Sequence, residues 1–347
     1  FSAASYLTES GAATIIGANS QLVVSGLFQQ NAGSTLTVQG GPGGGPAIST
    51  GNADIDGNLV VEGLTLTHPD KASDLDQSTF TVIQSTNAIN GNFDQVTIDQ
   101  RASTVDYLVV GGWKTNNDRN YVAGLGLAWE SDSALAHGTF TLAEGDSFEV
   151  DIALGDENPN PGTNWTGRDL TKEGLGELIL SDVNTYTGQT NIQTGTLTTD
   201  IEDAIAASSK VIVNTGATLD IKDKNQIINH LEGGGTVDLG TAVMTADNSL
   251  SDSVFSGKII GQGSLVKTGG SSLTLSGDNA YEGGTTISGG RLIAQSGTAL
   301  GQDSVINDSE LELALNADGT VANQLTGTGD LIKSGTSVAT LTGANSS

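Results

Sequence analysis

One phrase occurs twice in this chain, ungapped and at a constant offset. Leu170-Thr-Lys172-Glu-Gly174 continues through Leu178-Ile-Leu180 to Asn184-Thr-Tyr186-Thr-Gly188-Gln-Thr190-Asn-Ile192. Leu265-Val-Lys267-Thr-Gly269 continues through Leu273-Thr-Leu275 to Asn279-Ala-Tyr281-Glu-Gly283-Gly-Thr285-Thr-Ile287. Every matched pair lies 95 residues apart, and a third copy runs from Leu331-Ile-Lys333-Ser-Gly335 to Leu341-Thr-Gly343-Ala-Asn345. Such repetition points to stacked units, none of which buries a core alone.

Between the copies the pattern is short alternation broken by Gly, Asn and Asp. Ser34-Thr-Leu36-Thr-Val38, Gly57-Asn-Leu59-Val-Val61, Ala217-Thr-Leu219-Asp-Ile221 and Glu310-Leu311-Glu-Leu313 each place apolar residues at every second position. Period two is the signature of a half-buried strand. One helical candidate stands out, Glu202-Asp-Ala-Ile-Ala-Ala-Ser208. An up-and-down sheet and a solenoid both suit strands this short. The ungapped repeat and the Gly and Asn at recurring corner positions favour the solenoid, since both residues tolerate positive φ. The expected fold is all-β, a parallel β-helix in which each strand pairs with its equivalent one coil away, about 4.8 Å distant. Coils of roughly 20–25 residues would give about 14 of them. Asn184 and Asn279, and Thr190 and Thr285, fall at matching phases and are expected to satisfy backbone groups that the turns leave unpaired.

Composition agrees with a narrow aliphatic core: aromatics make up only 4% of the 347 residues. A net charge of −27 argues against nucleic acid and anionic membrane surfaces as partners. The absence of cysteine removes disulfides and thiolate metal sites. The chain reads as one continuous fragment, 1–347, ending inside a repeat, with a soft internal boundary near residue 160 in the loop Asp156-Glu-Asn-Pro-Asn-Pro-Gly162.

The stretch from Arg101 to Trp165 departs from the rhythm and holds all three Trp. Tyr107-Leu-Val-Val-Gly-Gly-Trp113 and Tyr121-Val-Ala-Gly-Leu-Gly-Leu-Ala-Trp129 flank a polar segment. This predicts a hairpin or loop excursion over residues 107–129, although the Gly-rich second arm also suits a wider coil core. At its tip Trp113, Lys114, Arg119 and Tyr121 combine aromatics with two of only 13 bases, the types favoured as binding anchors. These four are the candidate contact residues. The structural alternative is that Trp113 and Tyr121 pack on each other across the hairpin.

The repeated phrase resembles the autotransporter-associated β-strand repeat of type V secreted passenger domains in Gram-negative bacteria, with copies at 170–197, 265–292 and 331–345. The segments Tyr121–Trp129, Ala136-His-Gly-Thr-Phe140 and Asp146-Ser-Phe148 are similar to stretches of AIDA-type adhesins. The resemblance implies a right-handed parallel β-helix, exported through the outer membrane by a C-terminal translocator barrel in the parent chain. It implies a non-enzymatic cell-surface adhesin that promotes aggregation, biofilm and host adhesion. The partners implied are the same protein on neighbouring cells, or a host extracellular-matrix protein or glycan. No cofactor or metal follows from it.

Chemistry-bearing motifs are weak. Secreted protease passengers of this family carry Gly-Asp-Ser-Gly, and here Gly145-Asp146-Ser147 is followed by Phe148. A triad also needs a positioned imidazole, from His68, His137 or His230. Asn52, Asp54, Asp56 and Gly57 match the first half of a calcium loop, but Gly63 stands where a bidentate Glu belongs. Gly40-Gly-Pro-Gly-Gly-Gly-Pro46 lacks the Lys-Ser/Thr of a phosphate loop. A polysaccharide-acting β-helix enzyme would need converging acids, and none of the many acids is singled out.

Overall fold

The computed structural model describes residues 1–41, 44–99, 105–129 and 135–344. It is a parallel β-solenoid of about 16 turns, all-β apart from a single 3-10 helix among the described residues, Ala72–Ser78. The chain divides into two compact units, one comprising 1–137 with 160–164 and the other 138–159 with 165–347.

In the first unit, four strands stack in parallel on one side: Ala13–Ile16, Thr35–Gln39, Asn58–Glu62 and Gln95–Ile98. Ala13 pairs with Thr35, Thr35 with Asn58 and Asn58 with Gln95, so every second residue falls in one inward column. The facing sheet stacks Ser2–Ala3, Leu22–Gln30, Ile48–Ile55 and Thr79–Ser85 in parallel. Between them lie Val24, Phe28, Leu36, Val38, Ile48, Leu59, Val61 and Val82, all buried. That sheet then changes character. Asn120–Leu127 runs antiparallel to Thr79–Ser85, and Leu108–Thr115 runs antiparallel to Asn120–Leu127. The excursion predicted over 107–129 is therefore a hairpin that covers the exposed strand edge of the parallel stack, the edge that otherwise invites pairing with another chain.

The second unit has three long faces. The first is a ten-stranded sheet from Thr139–Thr141 to Asp330–Lys333; the second holds six strands from Ser147–Val150 to Lys258–Ile260; the third holds six from Gln226–Ile228 to Leu325–Thr326. One turn is short: Thr218 pairs with Thr236 and Thr236 with Lys258, steps of 18 and 22 residues. Leucine, valine and isoleucine fill the inward columns, as in Leu178–Leu197–Leu219–Val237–Ile259.

The copies of the repeated phrase do not start on the same face. Leu170–Glu173 lies on the first face and Glu177–Leu180 on the second, whereas Ser264–Thr268 lies on the third and Ser272–Leu275 on the first. The phrase is thus a local corner device and not a whole-turn period.

One sequence expectation changes. Residues 202–207 form successive turns with no helix, and Asp203 sits at φ 56°, outside the helical region. The half-match to a calcium loop lies along the strand Ile48–Ile55, where Asn52 and Asp54 alternate outward with buried Ala53 and Ile55 instead of wrapping a centre. Within the Gly-rich 40–46 stretch, Pro42 and Gly43 lie outside the described residues, as do Arg101 to Thr104 of the irregular region and Asn345 of the third copy.

Candidate functional site

The hairpin tip is built by three consecutive left-handed residues, Asn116, Asn117 and Asp118, at φ 55°, 53° and 59°. Asn and Asp are the side chains that tolerate this region, which explains the polar tip. The Arg119 N–H closes the turn onto the Asn116 carbonyl at 3.2 Å, and the Arg119 carbonyl accepts from the Ser85 N–H at 2.8 Å. Register places Trp113 opposite Val122 and Lys114 opposite Tyr121. Side chains alternate along a strand, so Trp113 and Tyr121 point to opposite faces of the hairpin and do not pack on each other.

The four candidate residues consequently separate. Tyr121 belongs to the core of the first unit: it is 2% exposed, meets Phe93 edge-on at 4.9 Å, and burial pushes its hydroxyl up to about 12. Lys114 donates to the Ile89 carbonyl at 3.0 Å. Trp113 is half-buried over Gly126, where an added Cβ would come within 2.9 Å of the ring. Arg119 is exposed. Phe93, Val96, Val110, Gly112, Lys114 and Tyr121 line a cleft of about 390 Å³ under the hairpin.

The repeated phrase supplies a polar skeleton inside the second unit. Asn184 Oδ1 accepts from the Leu154 N–H at 2.9 Å, and its Nδ2 donates to the Ala204 carbonyl at 3.0 Å. Asn279 does the same between Ile259 (2.8 Å) and Ala299 (2.6 Å). Each amide spans three successive turns. The Tyr186 and Tyr281 hydroxyls meet the Thr190 and Thr285 hydroxyls at 2.7 and 2.6 Å, fully buried.

Sequence reasoning missed the lysine. Lys172 and Lys267 are wholly buried. Lys172 Nζ donates to the carbonyls of Glu173 (2.7 Å), Gly174 (2.8 Å) and Thr194 (3.2 Å). Lys267 repeats the pattern with Thr268, Gly269 and Gly289. Gly174 and Gly269, at φ 72° and 71°, turn these carbonyls toward the ammonium. Desolvation pulls both lysines down to about 8. The signal was present in the sequence: in Leu-x-Lys the lysine occupies the same inward phase as the leucine.

Ser147 opens the strand Ser147–Val150, paired with Glu177. His230 is positioned elsewhere, with Nε2 2.7 Å from Glu232 Oε1 and Nδ1 3.0 Å from Ser251 Oγ. An ionised carboxylate only accepts, so Nε2 carries a hydrogen and donates it to Glu232, while Nδ1 shares a hydrogen bond with the Ser251 hydroxyl. Lys210 holds the other Glu232 oxygen at 3.1 Å. The hydrogen bond from His230, and then Lys210, keep the Glu232 carboxyl below its ordinary range. The trio braces the segment around Ser251 against the first face. Among the described residues, no group of three or more His, Asp or Glu is placed to hold a metal ion.

The outer surfaces of the three faces differ in charge. Strands of the second face present Glu149, Glu177, Asp220, Asp238 and Lys258. Those of the first face present Glu173, Lys210, Glu232, Arg291, Glu310, Glu312, Asp330 and Lys333, with Arg291 paired to Glu310 at 2.5 Å and to Glu312 at 3.0 Å. The strands of the third face present one charge, Asp247.

Residues 170–198 and 265–294 match the passenger-associated-transport-repeat family. These are the segments that contribute the buried lysine, the turn-spanning asparagine and the Tyr–Thr pair. A further match covers 77% of the chain, at 32% identity, with the autotransporter adhesin BmaC of Brucella suis biovar 1 strain 1330. The chain belongs to the type V autotransporter passenger domains. This passenger domain is also 29% identical over 45% of its length to YdeK, an uncharacterized lipoprotein of Escherichia coli K12. It spans 8% of the length of the first relative and 12% of the second.

Proposed function

We propose that the chain is part of a non-enzymatic adhesin, carried to the cell surface through the outer membrane by a translocator barrel in the parent protein. The observation that supports this reading best is the solenoid surface itself, in which equivalent outward side chains recur on every turn. Threonines line up in some of these columns, as in Thr196–Thr218–Thr236 on the second face. Repeated shallow contacts along such a surface are individually weak and become effective through the many copies on a cell. Aggregation of neighbouring cells and biofilm formation are the expected outcomes. The similarity to a protein named as an adhesin favours the same reading. A settling assay tests it: bacteria that do not otherwise aggregate would display the parent protein, beside a strain lacking the passenger. Rapid settling, suppressed by excess soluble passenger, is expected. No settling despite antibody-verified display would overturn self-association.

A second reading is binding of a host matrix protein or glycan at the hairpin, favoured by the exposure of Arg119 and the partial exposure of Trp113 on the same hairpin. Adhesion to immobilised matrix proteins or glycans that falls when Trp113→Ala and Arg119→Ala are combined would support it. Unchanged adhesion in the double variant would exclude the hairpin.

A further inference from the structure

The central outward column of the third face is Ile227, Thr245, Val266, Thr286, Ile306 and Thr326, one residue from each of six successive turns in unbroken register. All six are β-branched and uncharged. Ile227 and Ile306 are exposed, at 37% and 43%, and the other four are half-buried. The column on one side, Val243–Ser264–Gly284–Ser304–Gln324, is uncharged as well. In a chain of net charge −27, whose other two long faces are strewn with acids, this is the surface where a second copy can approach with least repulsion.

The stripe is also complementary to its own reverse. Larger apolar residues alternate with threonines turn by turn. When two copies meet face to face and antiparallel, with a two-fold axis between Val266 and Thr286, Ile227 lies against Thr326, Thr245 against Ile306 and Val266 against Thr286. Each bulky side chain then meets a shorter one. Turns in both copies share the roughly 4.8 Å spacing of parallel strands, so the match holds along the whole stripe. A two-fold pairing of one patch with itself is the commonest form of homotypic contact.

We infer that the third face of the second unit is a self-complementary contact surface for an antiparallel second copy of this chain. The inference rests on the self-association reading above and supplies its surface and geometry. Antiparallel contact suits molecules projecting from two opposed cells. The stripe is only about 24 Å long, short of what is needed to bury the roughly 800 Å² per partner of a stable complex. Each contact is therefore weak, and its effect is collective. The flanking column Asp247–Thr268–Ser288–Asp308 places Asp247 of one copy near Asp308 of the other. Pairing is accordingly opposed at two points, so it strengthens as salt rises.

The absence of cysteine from this sequence makes the geometry testable by cross-linking in the displayed parent protein. One cell population would carry Val266→Cys and a second Thr286→Cys, and each would be mixed with itself and with the other under mild oxidation. The expected result is a disulfide-linked dimer in the mixed population, in large excess over either population alone. Dimers of Val266→Cys with itself, and no excess over them in the mixture, would overturn the antiparallel arrangement. Settling that proceeds with no cross-link in any mixture, and that survives Val266→Lys with Thr286→Lys, would overturn this surface while leaving self-association intact. No settling by the unaltered protein would instead remove the reading on which the inference rests. Asp247→Asn is expected to speed settling; slower settling would count against the pairing.

Discussion

Lys172 Nζ donates to the carbonyl oxygen of Thr194, 3.2 Å away and one turn further along the solenoid. The same ammonium holds the carbonyls of Glu173 and Gly174 on its own turn, so a single buried charge fastens two turns at a corner. A cation is well suited to the task because a positive-φ corner turns several carbonyl oxygens toward one point.

Replacing that lysine with methionine keeps the volume and removes the donor. The carbonyls are left buried without it, and Lys172→Met or Lys267→Met is expected to destabilise by about 3 kcal/mol. Urea denaturation followed by circular dichroism checks this. A loss below about 0.5 kcal/mol would mean that water replaces the ammonium.

Asn279→Ala removes the acceptor for the Ile259 N–H and the donor to the Ala299 carbonyl. The cost is expected to be about 2 kcal/mol, and Asn184→Ala should behave alike. Hydrogen exchange offers a local readout, because the Ile259 amide should lose protection in Asn279→Ala and keep it in Asn184→Ala.

Two glycines of similar φ should respond differently to alanine. Gly174, at φ 72°, would press a Cβ onto the Leu142 carbonyl oxygen, whereas Gly216, at φ 88°, faces open space. Gly216→Ala should cost about 1 kcal/mol from backbone strain alone. Gly174→Ala should cost several times as much, seen as a much larger fall in Tm. Equal falls would show that the corner can relax.

Acid should weaken the second unit through carboxylates whose pKa is depressed on folding. Asp156 is held low chiefly by the Thr187 N–H at 2.7 Å, and Glu232 chiefly by His230. Each binds its proton more readily in the unfolded chain. The stability they contribute is present above the ordinary carboxylate range and is lost as pH falls through their folded values. Tm should therefore drop between pH 5 and pH 3, on the order of the usual carboxylate range, and drop less in Asp156→Asn with Glu232→Gln. An acid limb unchanged by the two substitutions would assign the loss to other groups.

The fold was legible because its two governing signals are local. Alternation such as Leu36, Val38 and Leu59, Val61 specifies inward columns, and ungapped repetition specifies stacking. The asparagine corners were legible too, since an amide that both donates and accepts suits a position between turns. Lys172 was not, because a lysine read alone defaults to the surface and only its phase reveals burial. Tyr121 misled in the opposite direction: it sits beside a polar tip in sequence, but the alternation that exposes part of Trp113 turns Tyr121 toward Phe93. The stretch 202–208 has helix-forming composition, yet Asp203 adopts a left-handed turn and its N–H donates to the Asn225 carbonyl. A contact so distant in sequence overrides local propensity.

The displacement of the repeated phrase from one face to another has a consequence for how such chains change over time. From Leu170, four full turns and two further faces pass before the phrase returns at Leu265. Gain or loss of one 95-residue block would preserve the strand ladder and the corner chemistry. Everything beyond the junction would nevertheless be swung around the long axis by one side of the prism. Copy number then acts as a compass setting for whatever the surface carries, altering the direction in which it is aimed without altering the residues themselves.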